Sequence, residues 1–406
     1  MKTKLLYTLI TITLVLVLGF ITWRFWPVHE TSIKKASFTH LPGWDNIDTK
    51  QSFQAFQISC RTFLKQAPEK SVGSQYIDLK AKDWHPSCQA ALLVDPNSAK
   101  DTREFFEKWF TPVAFHNRKP IEGLFTGYYL PKLPGSLIKT PEYQVPLYGM
   151  PHNIVTADLG DFDPNLKHHR TIVGRLRGKK LIPFYTRKQI NQGAIVKDAP
   201  VVAWISNEVD RQFLEIEGSG VIQLSNGKEV YVGYEGENGA PYKSIARVLI
   251  DMGVMTKHNA SMQRIRTYFK THPKKIDMVL NQNKSFVFFG ILQQEAAMGA
   301  QGVPLTPGYS LAIDRKWVPL GTPIWLNTTQ PDANKSNQQK TFQRLMIAQD
   351  TGGAIKGSVR GDVYWGAGEE ATFVAGHMKN PGTYWLLLPH HKVAQITYHN
   401  KHIKIA

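Results

Sequence analysis

The sequence predicts a mainly β chain with a few helices and an N-terminal transmembrane helix, and three observations predict it. From Ser285 onward the apolar runs SFVFFGIL, YSLAID, PIWLN, RLMIAQD, ATFVAG and YWLLL follow one another at short intervals with glycine turns between them, which is the spacing of a small barrel. Helical periodicity is confined to a few segments. An uncharged run from Leu5 to Trp23, LLYTLITITLVLVLGFITW, has about the length needed to cross a bilayer. With 406 residues the chain is long enough for two domains. Its hydrophobic fraction of 42% and charged fraction of 20% exclude a disordered chain.

Taken in order, Lys2 and Lys4 hold the N-terminus in the cytoplasm, so the remainder is exported. Arg24 weakens this asymmetry slightly, while Trp23, Phe25 and Trp26 suit the outer interface. No A-x-A-like site follows, so residues 1–26 are expected to stay as a signal anchor, and no cysteine near the run offers a lipoprotein site. Cys60 and Cys88 then lie in an oxidising compartment and are expected to pair, closing a loop worth roughly 3 kcal/mol. Their spacing matches no metal pattern, and two unrelated buried thiols are the alternative.

From Ile47 to Gln66 the residues Phe53, Phe56, Cys60, Phe63 and Leu64 recur at helical spacing, and Asp48 with Gln51 resembles a capping box. A second helix is expected near Asp101, boxed with Glu104, burying Phe105, Phe106, Trp109 and Phe110. After Glu122 the pattern turns to strands: GLFTGYYLP, Leu181–Tyr185, Val201–Ile205, Gln212–Ile216 and around Val230–Val232. Two helices follow, Ser244–Met252 stopped by Gly253 and Ser261–Lys270 stopped before Pro273. Thr328–Gln343 is polar and expected to be a surface insertion. Residues 391–406 are expected to form a solvated basic tail, whose irregularly spaced histidines do not argue for metal. The net charge of +17 is spread along the chain without a basic stripe. It suits anionic headgroups or an acidic polymer, and an exported chain does not meet nucleic acid.

The most informative stretch is Leu345–Gly366, LMIAQDTGGAIKGSVRGDVYWG. An apolar run ends in Asp350, a loop rich in glycine follows, and Asp362 precedes Val363, Tyr364 and Trp365. Glycines let backbone turn tightly and approach a ligand. Aromatic neighbours offer a surface for a sugar ring and desolvate the acid, which raises its pKa. The structural alternative, a buried carboxylate satisfying turn amides, suits Asp350 better than Asp362.

With LPGW at Leu41–Trp44, FTGYY at Phe125–Tyr129, LEIEGSG at Leu214–Gly220, NGAPYKSI at Asn238–Ile245 and VPLTPGYSLAIDRKWVPLGTPIWL at Val303–Leu326, this block resembles the membrane-bound lytic murein transglycosylase A family. The resemblance runs from about Leu41 to Leu388. It implies a double-psi β-barrel at residues 38–125 and 284–390, split by an inserted β-rich domain at 126–283, with a glycan groove between them. Three aspartates characterise the family's C-terminal module, and they match Asp314, Asp350 and Asp362. The implied substrate is the peptidoglycan glycan strand, cut without cofactor or metal. Asp362 would be the catalytic acid and base, supported by Asp350 and Asp314. Thr126, Gly127, Tyr128, Tyr129, Gly218, Ser219, Gly220, Asn238, Tyr242, Tyr364 and Trp365 would line the groove. The bacterial membrane is the other expected partner, and cell-wall synthesis or division proteins stay unidentified.

Two departures from the family stand out. Glu215, Glu217 and Glu237 occupy positions where the family more often carries neutral polar residues. On a strand Glu215 and Glu217 would face one side about 7 Å apart, the separation of an inverting glycosidase pair. Flanked by Phe213, Leu214 and Ile216, they are read instead as one polar face. The second departure is the transmembrane run, since well-known family members are lipoproteins. The run favours the inner membrane with the chain facing the periplasm, while the resemblance also admits the outer membrane. Rival readings are an aspartic protease from Asp350-Thr351-Gly352, which lacks its second motif, a non-catalytic glycan-binding module, and a metal site built from the three aspartates.

Overall fold

The computed structural model describes residues 31–399, apart from 118, 164–165, 167–170, 258 and 334–337. The Leu5–Trp23 run lies outside the described residues. Among those described, no helix is long and apolar enough to cross a membrane.

Six strands close on themselves: Gly123–Tyr128, Ser310–Ile313, Pro323–Pro331, Gln339–Thr351, Arg360–Tyr364 and Lys379–Pro389. Around the ring, 379–389 pairs antiparallel with 323–331, and that strand pairs antiparallel with 339–351. Strand 339–351 runs parallel to 310–313, which is antiparallel to 360–364. Strand 360–364 runs parallel to 123–128, which returns antiparallel to 379–389. Closure leaves these strands no free edge. Leu311, Ile313, Ile324, Met346, Val363, Leu386 and Leu388 share one buried face of these strands, while Trp325, Leu345 and Ile347 are buried on the other. Phe110–Asn117 and Ser32–Lys35 extend the sheet outward from 379–389.

Three helices, Lys50–Lys65, Ala81–Ala91 and Ala99–Trp109, pack an aromatic cluster against this barrel. Phe53, Phe56, Phe63, Trp84, Phe106 and Phe110 are buried, and Phe63 stacks on Trp84 with centroids 4.9 Å apart. The first helix begins at Lys50, where Asp48 accepts the Lys50 N–H at 3.0 Å in place of the expected box with Gln51. The third begins at Ala99, ahead of the expected start near Asp101, because Ser98 is the cap and accepts the Asp101 N–H at 3.2 Å. The middle helix has no counterpart in the sequence reading because Pro86 interrupts its pattern.

A disulfide joins Cys60 on the first helix to Cys88 on the second, 28 residues apart and fully buried. Cys60→Ala/Cys88→Ala is expected to lower the unfolding free energy by about 3 kcal/mol. Denaturant unfolding of oxidised wild type against the double variant measures this, and a difference under about 1 kcal/mol would contradict it.

A second sheet has the order Val287–Ile291, Glu229–Glu237, Ser219–Leu224, Lys132–Ser136, Val201–Ile205, Val145–Tyr148. Leu133, Leu147, Ile205, Leu214, Ile222 and Val232 form its core. A helical layer (Glu208–Glu217, Ile245–Asp251, Met262–Thr271, Ile276–Leu280) packs through Val209, Phe213, Leu249, Ile265 and Phe269. Ile154–Ala157, Ile172–Arg177 and Lys180–Pro183 form a three-stranded sheet.

Several expectations are corrected. Gln212–Ile216 is not a strand but part of the helix Glu208–Glu217. Asn207 caps its start, accepting the Asp210 N–H at 2.8 Å, and Gly218 ends it at φ 78°, so caps at both ends override a short alternation. ATFVAG lies in the helix Glu369–His377, which buries Ala371, Val374 and Ala375 at helical spacing. Thr328–Gln343 is no separate insertion, because strands 323–331 and 339–351 stay paired out to Pro331 and Gln339. The described start of the tail forms a helix, His390–His399, whose Val393 and Ile396 join the large buried hydrophobic cluster. Strand 123–128 pairs within the six-strand ring, and strand 287–291 pairs within the second sheet.

Candidate active site

A β-bulge sets up the site. Leu311 lies opposite Ala348 but Ala312 lies opposite Asp350, so Gln349 is the extra residue. Gln349 turns into the core, where its amide donates to Ala55 O at 3.0 Å and Ser59 Oγ at 2.9 Å. The bulge re-aims the next side chain, and Asp350 joins a row that runs through Ala312 and Asp362 to Thr126 on four adjacent strands. Residues in register on neighbouring strands share a face. Two residues further on, Tyr364 lies opposite Tyr128, with ring centroids 5.2 Å apart.

Asp350 and Asp362 of this row lie on one wall of a cleft of about 490 Å³, whose other wall comes from the end of helix 208–217 and the second sheet, while Thr126 lines the cavity beside it. Asp362, Asp350, Tyr128, Tyr129 and Tyr364 line the barrel side, and Glu217, Gly218, Ser219, Tyr234, Glu237 and Tyr242 line the other. A neighbouring cavity of about 610 Å³ shares Glu217 and Tyr242 but contains neither aspartate.

Asp362 accepts a hydrogen bond from Thr126 Oγ1 at 2.5 Å, and Thr126 in turn accepts one from Arg360 Nη2 at 2.8 Å. Burial raises the Asp362 pKa above the ordinary carboxylate range, and the nearby Asp350 adds to this. The Arg360 charge and the Thr126 hydrogen bond oppose the rise. Asp350 is also raised by burial, against the hydrogen bonds that it accepts. Those bonds fix it: Oδ2 accepts from the Tyr128 hydroxyl at 2.8 Å, and Oδ1 from the Ala300 N–H at 2.9 Å. Burial and the Asp350 charge push the Tyr128 phenol well up.

Asp314 lies outside the cleft lining. Its carboxylate accepts from Lys316 N–H at 3.1 Å and Gly357 N–H at 2.8 Å, which anchors the glycine loop. Among the described residues no group of three or more His, Cys, Asp or Glu side chains forms a metal-holding cluster.

Four expected groove residues have other work. Trp365 lies just beyond the strand that ends at Tyr364, and it packs against Phe342 at 5.3 Å. Gly127 makes room for it, since a Cβ there would lie 2.6 Å from the Trp365 indole nitrogen. Gly220 lets Leu214 approach, with a Cβ there 2.4 Å from Leu214 Cδ1. Asn238 donates to Tyr185 O at 2.8 Å and Lys284 O at 2.9 Å and accepts from Phe286 N–H at 2.9 Å, which leaves it a backbone clamp.

Glu215 and Glu217 do not share a face, because residues two apart on a helix point to opposite sides. Glu215 forms a buried ion pair with Arg187, bonded from Nη1 at 3.0 Å and again from Nη2. Glu217 accepts the Tyr129 N–H at 3.0 Å, and burial pushes its pKa up to about 8, with Asp362 contributing. The sequence signal for Glu217 is its place just before the helix-ending Gly218, which a strand assignment hides.

Comparison with known proteins agrees with this architecture. The MltA specific insert domain matches residues 124–290, and the 3D domain matches 309–388. Membrane-bound lytic murein transglycosylase A of Escherichia coli strain K12 is 34% identical over 265 residues, 65% of each chain. The match thus spans about 65% of that relative's length. The crystal structure of MltA from Neisseria gonorrhoeae is 31% identical, covers 88% of this chain and 91% of its own, and has a TM-score of 0.71. E. coli MltA with bound chitohexaose is 27% identical over 88% of this chain and 94% of its own, with a TM-score of 0.62.

Proposed function

We propose a reaction for this chain from one premise: it belongs to the membrane-bound lytic murein transglycosylase A family. The reaction is non-hydrolytic cleavage of the β-1,4 bond between MurNAc and GlcNAc in peptidoglycan, leaving 1,6-anhydro-MurNAc ends during cell-wall turnover. The observation that carries it is the Asp362 carboxyl, held in the cleft with its pKa raised by burial.

Most glycosidases need two carboxyls, one to protonate the leaving oxygen and one to act as nucleophile or base. Here Asp350 is bonded at both oxygens and Glu215 is tied to Arg187. Glu217 is held on the facing wall by the Tyr129 N–H, and burial pushes its pKa up to about 8. One group then works twice. Asp362 gives its proton to the glycosidic oxygen as the C1–O bond breaks. The resulting carboxylate takes the proton of the muramyl 6-hydroxyl as O6 bonds to C1. Atoms balance without water. Tyr128, Tyr364 and Tyr242 offer rings and hydroxyls for sugars.

The closed six-strand ring, with its two parallel pairs, supports reading the barrel as double-psi. On this reading the barrel takes the described residues up to Tyr128 and those after Ile291, and residues between them form the other wall. The relatives' description as membrane-bound, together with the Leu5–Trp23 run, supports an inner-membrane anchor with the cleft in the periplasm.

Purified murein sacculi test the function. Release of soluble fragments is expected, whereas a non-catalytic glycan-binding module would bind sacculi and release none. The acid role also fixes a pH dependence. Asp362 must be protonated to start the reaction, so kcat/KM falls as pH rises through its raised pKa. Arg360 lowers that pKa, so Arg360→Gln should move the alkaline limb to higher pH. A limb that stays put or moves down would contradict the assignment.

A further inference from the structure

We infer that Glu217 binds the glycan as a neutral carboxyl, donating a hydrogen bond to a sugar oxygen on the wall facing Asp362. This rests on the proposed glycan cleft. Glu217 is the last residue of helix 208–217, where Gly218 closes the helix with its N–H on Leu214 O at 2.9 Å. Its Oε2 accepts from Tyr129 N–H, and among the described residues its other oxygen has no hydrogen bond or ion pair. It lines the cleft with Asp362.

The surrounding charges favour the neutral form. Arg266, on helix 262–271, is the cation that acts on Glu217, and it is committed to Asp210 and lies over the Phe213 ring at 4.5 Å. Asp362 and Asp350 lie on the barrel wall and Glu237 on the second sheet, with the phenols of Tyr129 and Tyr242 beside them. On its own helix, Glu215 is neutralised by Arg187. Burial, with the Asp362 charge, holds the Glu217 proton up to about pH 8. A protonated carboxyl has an O–H donor, whereas a carboxylate only accepts. Sugar hydroxyl and acetamido oxygens are acceptors, so ionisation removes the hydrogen bond and sets a second negative charge near Asp362.

Chitohexaose affinity, measured by calorimetry from about pH 6 to 9.5, is the binding test. Wild type is expected to lose about three- to tenfold in affinity as pH passes about 8, the value of one hydrogen bond. Glu217→Gln, neutral and still a donor, should keep the neutral-pH affinity throughout, and Glu217→Ala should bind weakly at every pH. Wild-type affinity independent of pH, a Gln variant that follows the wild-type fall, or one as weak as Ala would overturn the inference. Carbon-13 NMR of the full chain, assigned by difference with Glu217→Gln, reads the group directly. A midpoint near 8 is expected, and one near the ordinary 4.5 overturns the inference whether or not chitohexaose binds. Failure to degrade murein with this pattern intact would sink the transglycosylase reading and leave Glu217 as a glycan ligand.

Discussion

Asp362→Asn is expected to keep the fold and to lose murein turnover by about 10² to 10⁴, the usual worth of general acid–base catalysis. One residue serving both proton transfers should lie at the upper end. Asn is nearly the same size, and its side-chain oxygen can still accept from Thr126 Oγ1, so the row from Asp350 through Ala312 to Thr126 should stand. Asp350→Asn should differ in kind. The wild-type carboxylate accepts from both Tyr128 and Ala300, and the amide nitrogen of Asn accepts from neither. Lost turnover should therefore come with a lower melting temperature. Initial rates on purified murein with parallel thermal unfolding measure both. An active Asp362→Asn protein would remove the proposed acid.

Arg187→Met is expected to be the most destabilising single change away from the cleft, by about 3 to 5 kcal/mol. Arg187 is 1% exposed and holds Glu215 from two nitrogens, while also donating to Asn283 O at 3.0 Å and to Ser285 O. It joins helix 208–217 to the segment that leads into strand 287–291. Removing it leaves the Glu215 carboxylate buried with only Arg211, 3.8 Å away. Replacing both charges, as in Arg187→Met/Glu215→Leu, should recover much of the loss, since a buried pair exchanged for apolar groups is often near neutral. Denaturant midpoints of the two variants decide it. A loss below about 1 kcal/mol for Arg187→Met would mean that the pair does not hold this wall.

The chemistry is more legible in sequence than the wall it faces. Asp350 and Asp362 stand out because a glycine loop joins them and aromatics follow, and both reach the cleft. The paired cysteines are legible from compartment and helix periodicity. Trp365 reads as a groove residue beside Tyr364, yet it lies past the end of that strand and packs against Phe342 and Gly127. Glu217 is hidden because Glu-Ile-Glu alternates like a strand, while the deciding signals, Asn207 and Gly218, sit outside those three residues. The bulge at Gln349 and the pairing of strand 123–128 with 360–364 depend on contacts remote in sequence, which no local pattern encodes. Asn238 resembles a sugar ligand because composition does not distinguish an amide that meets solvent from one that clamps backbone.

Digestion of purified murein in H₂¹⁸O, followed by mass spectrometry of the released fragments, tests the central claim most directly. If Asp362 alone moves the proton and the muramyl 6-hydroxyl attacks, the products end in 1,6-anhydro-muramyl residues and carry no ¹⁸O at the cleaved end. Reducing muramic acid carrying one ¹⁸O as the main product would mean that water attacks, and would contradict the account.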